Sequence, residues 1–189
     1  MSELNLNKDD KNILLKLARN TLQEYLTSPT SFTEDKVIKD ITITDGLDEK
    51  LGAFVTLKIG DNLRGCIGYV EGIMPLYKAV IDNTINASTK DPRFRPMTFD
   101  EEKDVHIEIS VMSALKKITD YNLIEVGKHG IIIRSAYNSG LLLPQVATEW
   151  NWDREEFLSH TCEKAGLPMD AWKDNSIDIF IFSAIVFGE

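Results

Sequence analysis

Apolar positions mark out the elements of the chain one after another. Leu14, Ala18, Leu22 and Tyr25 recur at helical spacing, and Leu17 and Leu26 widen the stripe, which predicts a helix ending at Ser28-Pro29. Asn7 is placed to cap it, and Asp9 and Asp10 suit the positive end of its dipole. Residues 27–50 are polar, with one short alternation at Ile41 and Ile43 before Thr44-Asp45-Gly46. From Leu51 to Ile59 the period changes to two, with Ala53, Val55, Leu57 and Ile59 sharing a face, so this run reads as a strand. Gly60-Asp61-Asn62 makes a turn, and Leu63 to Val70 returns as a partner strand or a strand-like loop. Its two glycines, Gly65 and Gly68, signal a bulge or a close backbone approach.

Pro75 opens a second helix whose apolar face, Leu76, Ala79, Val80, Ile81, Ile85 and Ala87, is broad enough to lie on a sheet. It ends before Asp91-Pro92, because a residue preceding proline avoids helical geometry. Val105 to Ser113 alternates cleanly: Val105, Ile107, Ile109 and Val111 face one way, His106, Glu108, Ser110 and Met112 the other. Gly127 to Gly130 turns into a short strand at Ile131–Arg134, and Leu141–Leu143 is a further apolar run cut by Pro144. Asp153 and Glu156 stand at capping-box spacing ahead of a third helix with Phe157, Leu158, Thr161, Cys162 and Ala165 inward. Gly166-Leu167-Pro168 stops it. Ile177 to Phe187 is long, apolar and β-branched, and is predicted as one central strand. Helices interspersed among antiparallel strands make the fold class α+β, not a Rossmann-type sheet.

Composition narrows the class further. The 189 residues suit one domain, or two small subdomains sharing a core. No apolar run approaches the roughly 18 residues of a membrane span, and the start, Met1-Ser2-Glu3-Leu4-Asn5, lacks a signal-peptide pattern. A cytoplasmic protein is expected. Two cysteines, Cys66 and Cys162, are too few for a disulfide framework and lack zinc spacing. The net charge of -9 argues against a nucleic-acid partner, which needs lysine and arginine on its phosphates. Nearly all the excess lies after residue 95: residues 1–95 hold 13 basic and 14 acidic side chains, residues 96–189 hold 8 and 16.

Several strings carry candidate chemistry. In Leu63-Arg64-Gly65-Cys66-Ile67-Gly68, a thiol beside an arginine and between glycines is a setting for a nucleophile or a ligand. The same string equally fits a small buried cysteine at a tight helix–sheet contact. Arg93 and Arg95, around Phe94, either clamp a carboxylate or phosphate or pair with local acids such as Asp91 and Asp100. His106 and Glu108 share a strand face, and a metal site would need further ligands that no diagnostic spacing supplies. His129, between glycines, is either catalytic or a turn histidine bonded to backbone; His160 reads as surface. Trp150-Asn151-Trp152 marks a binding surface if exposed and a packed junction if buried. P-loop, GxGxxG, GxSxG and HExxH motifs are missing, which removes several common enzyme classes.

Taken in order, these strings resemble one family. LRGCIG at 63–68, Asp91-Pro92-Arg93-Phe94, Ile109 to Ser113, Gly127 to Ile131, Leu142 to Ala147 and Cys162 to Pro168 together look like the AMMECR domain family. Within it they resemble the stand-alone prokaryotic members of the AmmeMemoRadiSam system. The resemblance covers about Leu14 to Glu189 and implies a compact α+β unit of two subdomains, mostly antiparallel sheet with about three main helices. One such domain would fill residues 1–189, with residues 1–12 loosely ordered. The family's context implies partners, a Memo-like protein and a radical SAM enzyme, but no reaction; no cofactor and no metal are expected. The pattern carries over at Arg64, Gly65, Cys66, Gly68, Asp91, Pro92, Arg93, Phe94, His129, Gly130, Pro144 and Gln145. Cys66 and His129 are thereby the candidate catalytic residues, and Arg64, Gly65, Gly68, Arg93 and Gln145 the candidate ligand contacts. Two functions stay open: an accessory or ligand-binding component of that system, or an enzyme using Cys66 as nucleophile or redox thiol on a small anionic substrate.

Overall fold

The computed structural model describes residues 4–189 and divides the chain into two units. Among the described residues the larger comprises 4–112 together with Ile185–Glu189, and the smaller is Ser113–Ala184. Each has its own hydrophobic core and its own four-stranded sheet, which makes the protein α+β.

In the larger unit, α1 (Lys8–Thr27) begins where the Asn7 side chain accepts the Asp10 N–H at 2.9 Å. Residues 1–3 of the stretch expected to be loose lie outside the described residues, while Leu6 is already buried in the core. The polar segment after α1 holds two short helices, α2 (Glu34–Ile38) and α3 (Asp45–Asp48), which each bury one apolar residue, Val37 and Leu47. β1 (Gly52–Ile59) and β2 (Asn62–Tyr69) form an antiparallel hairpin with an irregularity at Leu57/Lys58, joined through Gly60 at φ 58°. α4 (Leu76–Thr89) packs on both strands and against α1, with Pro75 one place ahead of its first turn. β3 (Val105–Met112) pairs antiparallel with β1 along its whole length. At its far end both faces are covered, since Ser110 and Met112 are as buried as Val111.

In the smaller unit, β4 (Lys116–Ile118) and β5 (Gly130–Arg134) flank β7 (Asp178–Phe182), and β6 (Ser139–Leu142) closes the edge beside β5. α5 (Pro144–Glu149) follows β6 at once, its first residue being the proline that ends the apolar run. α6 (Arg154–Lys164) has both bonds of the Asp153/Glu156 capping box, at 2.9 Å each. The C-terminal apolar run corrects the sequence reading. It is two strands in two sheets, β7 and β8 (Ala184–Gly188), with β8 beside β3 in the order β2-β1-β3-β8. Ser183 divides them: its N–H donates to Ser113 Oγ (3.0 Å) and its carbonyl accepts the Ser113 N–H (2.9 Å). A largely apolar run, interrupted only by Asp178 and Ser183, therefore hides a change of sheet.

Candidate functional site

β2 is an edge strand, with polar groups on its open side that need partners. At Cys66 those partners are the side chains of Asp91 and Arg93. The Cys66 N–H donates to Asp91 Oδ2 at 2.9 Å, and the Cys66 carbonyl accepts Arg93 Nη2 at 3.3 Å. The two side chains also hold each other, Arg93 Nε to Oδ1 at 2.9 Å and Nη2 to Oδ2 at 2.6 Å, while the Arg93 N–H reaches Oδ1 at 3.1 Å. The pair therefore stands in for a neighbouring strand. The Asp91 side chain is only 1 % exposed, so its charge needs these donors. The Arg93 guanidinium holds its carboxyl well below the usual carboxylate range, and the backbone N–H groups of Cys66 and Arg93 add to this against burial.

Arg64 is closed in the same manner. Its Nε and Nη2 donate to the two oxygens of Glu101 at 2.8 and 3.2 Å, and Nη1 donates to the Arg95 carbonyl at 3.0 Å. Glu101 also accepts the Thr98 N–H at 2.9 Å. Chiefly through Arg64, its carboxyl is lowered to about 2. The Phe94 ring lies between the guanidiniums, 6.0 Å from Arg64 and 5.5 Å from Arg93. Of the two readings of Arg93 and Arg95, Arg93 takes the local acid Asp91, while Arg95 enters this cluster through its backbone carbonyl. The acid on Arg64 is Glu101, which sequence reasoning missed; Thr98-x-x-Glu101 is readable as a cap signal, but nothing in it points to an arginine 37 positions back.

The glycines serve packing. A Cβ on Gly65 would stand 2.0 Å from the Ala87 carbonyl oxygen of α4, and one on Gly68 would stand 2.3 Å from the Phe54 ring. Cys66, between them, turns its side chain to the other face from α4 and is half-buried, opposite Thr56 on β1. The Thr56 hydroxyl donates to the sulfur at 3.2 Å. The same sheet face carries Lys58 and Glu108, paired at 3.0 Å.

His129 and Gln145 belong to the smaller unit. His129 is 9 % exposed; its Nδ1 accepts the Glu125 N–H at 3.1 Å, and its ring also bonds the Leu123 backbone. Burial pushes its pKa below the ordinary histidine value. The ring is thus bonded to backbone within its turn. Gln145 sits in the first turn of α5, its carbonyl accepting the Thr148 hydroxyl at 2.8 Å. Cys162 is fully buried and burial pushes its thiol up. Both cysteines are free thiols. His160 is not a simple surface residue: its ring stacks on Trp152. Among the described residues no group of three or more histidine, cysteine and acidic side chains is placed to hold a metal, and no helix is long and apolar enough to cross a membrane.

Fold and site together define an α+β protein of two antiparallel sheets, with a thiol-bearing edge strand held by an aspartate–arginine pair. The AMMECR1 family model matches residues 15–187, and the chain belongs to that family. It is 45% identical to Protein MK0488 of Methanopyrus kandleri over 97% of this chain and 90% of that one. It is 41% identical to a protein of Methanothermobacter thermautotrophicus over 97% and 96%. The crystal structure of an uncharacterized protein of Pyrococcus horikoshii, PH0010, superposes with a TM-score of 0.81 at 39% identity, covering 93% of this chain and 89% of that one.

Proposed function

We propose that the protein is a cytosolic ligand-binding accessory component that acts with a Memo-like protein and a radical SAM enzyme, and that the Cys66 face of β2 is its binding site. The observation that carries this reading is how Cys66 is held. Its backbone is held at both polar groups by Asp91 and Arg93, so a half-buried cysteine is presented on an edge strand whose open side is tied down at that residue. Both nearby guanidiniums are neutralised by carboxylates, which suits recognition of a ligand without a large charge. A thiol nucleophile needs a base within hydrogen-bond reach. The partner at the sulfur is a threonine hydroxyl, and His129 is engaged in its own turn. Binding is therefore preferred over catalysis.

Reconstitution of the full chain with the Memo-like and radical SAM proteins, read by untargeted mass spectrometry, tests this. Cys66→Ala is expected to keep its melting temperature within about 2 °C while product formation falls about tenfold or more. Full product formation with Cys66→Ala, or turnover by this chain without the other two proteins, overturns the reading.

A further inference from the structure

Trp150-Asn151-Trp152 takes no part in the Cys66 site, yet it is built with care. α5 ends in a Schellman arrangement: the Trp152 N–H donates to the Ala147 carbonyl (2.8 Å) and the Asn151 N–H to the Thr148 carbonyl (3.3 Å). Asn151 sits at φ 53°, in the left-handed region, and among the described residues no other non-glycine residue has a positive φ. This turn brings two side chains, one residue apart, onto the same side. The indoles of Trp150 and Trp152 lie 6.1 Å apart at 18° between planes. On the far side of Trp152 the His160 ring of α6 stacks at 4.0 Å and 17°. Three flat rings thus form a ladder, anchored on α6 and ending in Trp150, which is 68 % exposed.

The surroundings specify what such a ladder takes. An indole face carries negative electrostatic potential and attracts a cation laid upon it. Between Glu149 and Glu163 the chain has five carboxylates and one arginine. That arginine, Arg154, is turned to the Ile124 carbonyl and Asn122 Oδ1 at 3.0 Å each. Glu163 already holds His160 Nδ1 at 3.1 Å, and Asp153 and Glu156 serve the cap of α6, while Glu149, next to Trp150 in sequence, and Glu155 are exposed; this acidic segment complements the same cation that the indole face prefers. A planar guanidinium meets both requirements, stacking on the ring while its edges face carboxylates.

We propose that the Trp150–Trp152–His160 ladder is a docking platform for a basic segment of a partner protein, which lays an arginine side chain on the exposed face of Trp150. The platform is independent of the Cys66 site, and either can fail without the other.

The test is a titration of the full chain with the peptide Ac-GRGRGRG-NH2, followed by NMR of the indole N–H groups, with Ac-GEGEGEG-NH2 as control. Saturable shifts are expected at Trp150 and Trp152 and not at Trp172, which is in the smaller core. Trp150→Ala, an exposed position that leaves the melting temperature unchanged, is expected to weaken binding about fivefold. About 0.5 M salt is expected to weaken it as well. Equal shifts with the glutamate peptide, or arginine-peptide binding unaffected by Trp150→Ala, overturn the proposal. So does a response only to a uridine oligonucleotide, or only to the concentration of the protein itself.

Discussion

Asp91 bonds two points of the chain at once. Its carboxylate receives the N–H of Cys66, 25 positions earlier, and the guanidinium of Arg93, two positions later. Neither role alone explains a buried aspartate; together they give its charge both backbone and guanidinium donors. His129 shows the opposite response to burial. With Nδ1 occupied and the ring enclosed, its neutral form is favoured and its folded pKa lies below the unfolded value of about 6.5. Between those two values the unfolded state binds more protons, so stability falls as pH drops through about 6.5 towards the folded pKa. Above that window His129 contributes no slope. Urea denaturation at a series of pH values between 7 and 5 is expected to show this loss in the wild type and a flatter profile in His129→Gln. Parallel profiles would show that His129 is not the group responsible.

At the scale of elements, α4 lies so close to β2 that only a glycine fits beneath Ala87. Gly65→Ala must push helix and strand apart, and overpacking of this kind costs about 1–3 kcal/mol. At this size that is a fall in melting temperature of about 3–10 °C. Gly60→Asn, at a position with φ 58° and nothing near a Cβ, is expected to change it by less than about 2 °C. Thermal melts of the two variants side by side distinguish close packing from backbone freedom as the reason for each glycine. Gly65 was readable as a close approach because a glycine inside a strand has few other uses. The three long helices were equally readable, since Asn7, Pro75, Asp153 and Gly166 mark their ends by local chemistry. What the sequence concealed depends on distant partners. The short helices α2 and α3 each rest on one buried side chain, too little for a period. The division of the tail at Ser183 rests on Ser113, 70 positions away. The bond from Asp91 to the edge of β2 leaves no pattern at either end, so the two motifs that form one site read as two.

Across the whole molecule, charge divides the chemistry. The segment from Lys58 to Arg95 holds six basic and four acidic side chains, within a protein of net charge -9. Its slight excess of positive charge does not make a phosphate track, because Arg64 and Arg93 are closed on Glu101 and Asp91. Around α6 the excess is acidic and accompanies the exposed Trp150 ring, which is the reverse character. The larger unit thus presents a thiol beside paired arginines, and the smaller one presents an indole in an acidic segment.

The proposed function has the protein meet its ligand at the Cys66 face in the company of its partners. The two thiols make this directly measurable, because Cys162 is fully buried with its pKa raised by burial, whereas Cys66 is only partly buried. Native protein treated with iodoacetamide is expected to take one label, at Cys66, as read by intact-mass and peptide analysis. Adding the Memo-like and radical SAM proteins under conditions that support product formation is expected to slow that labelling about tenfold. Labelling of Cys66 at an unchanged rate in the working three-protein mixture would contradict the claim.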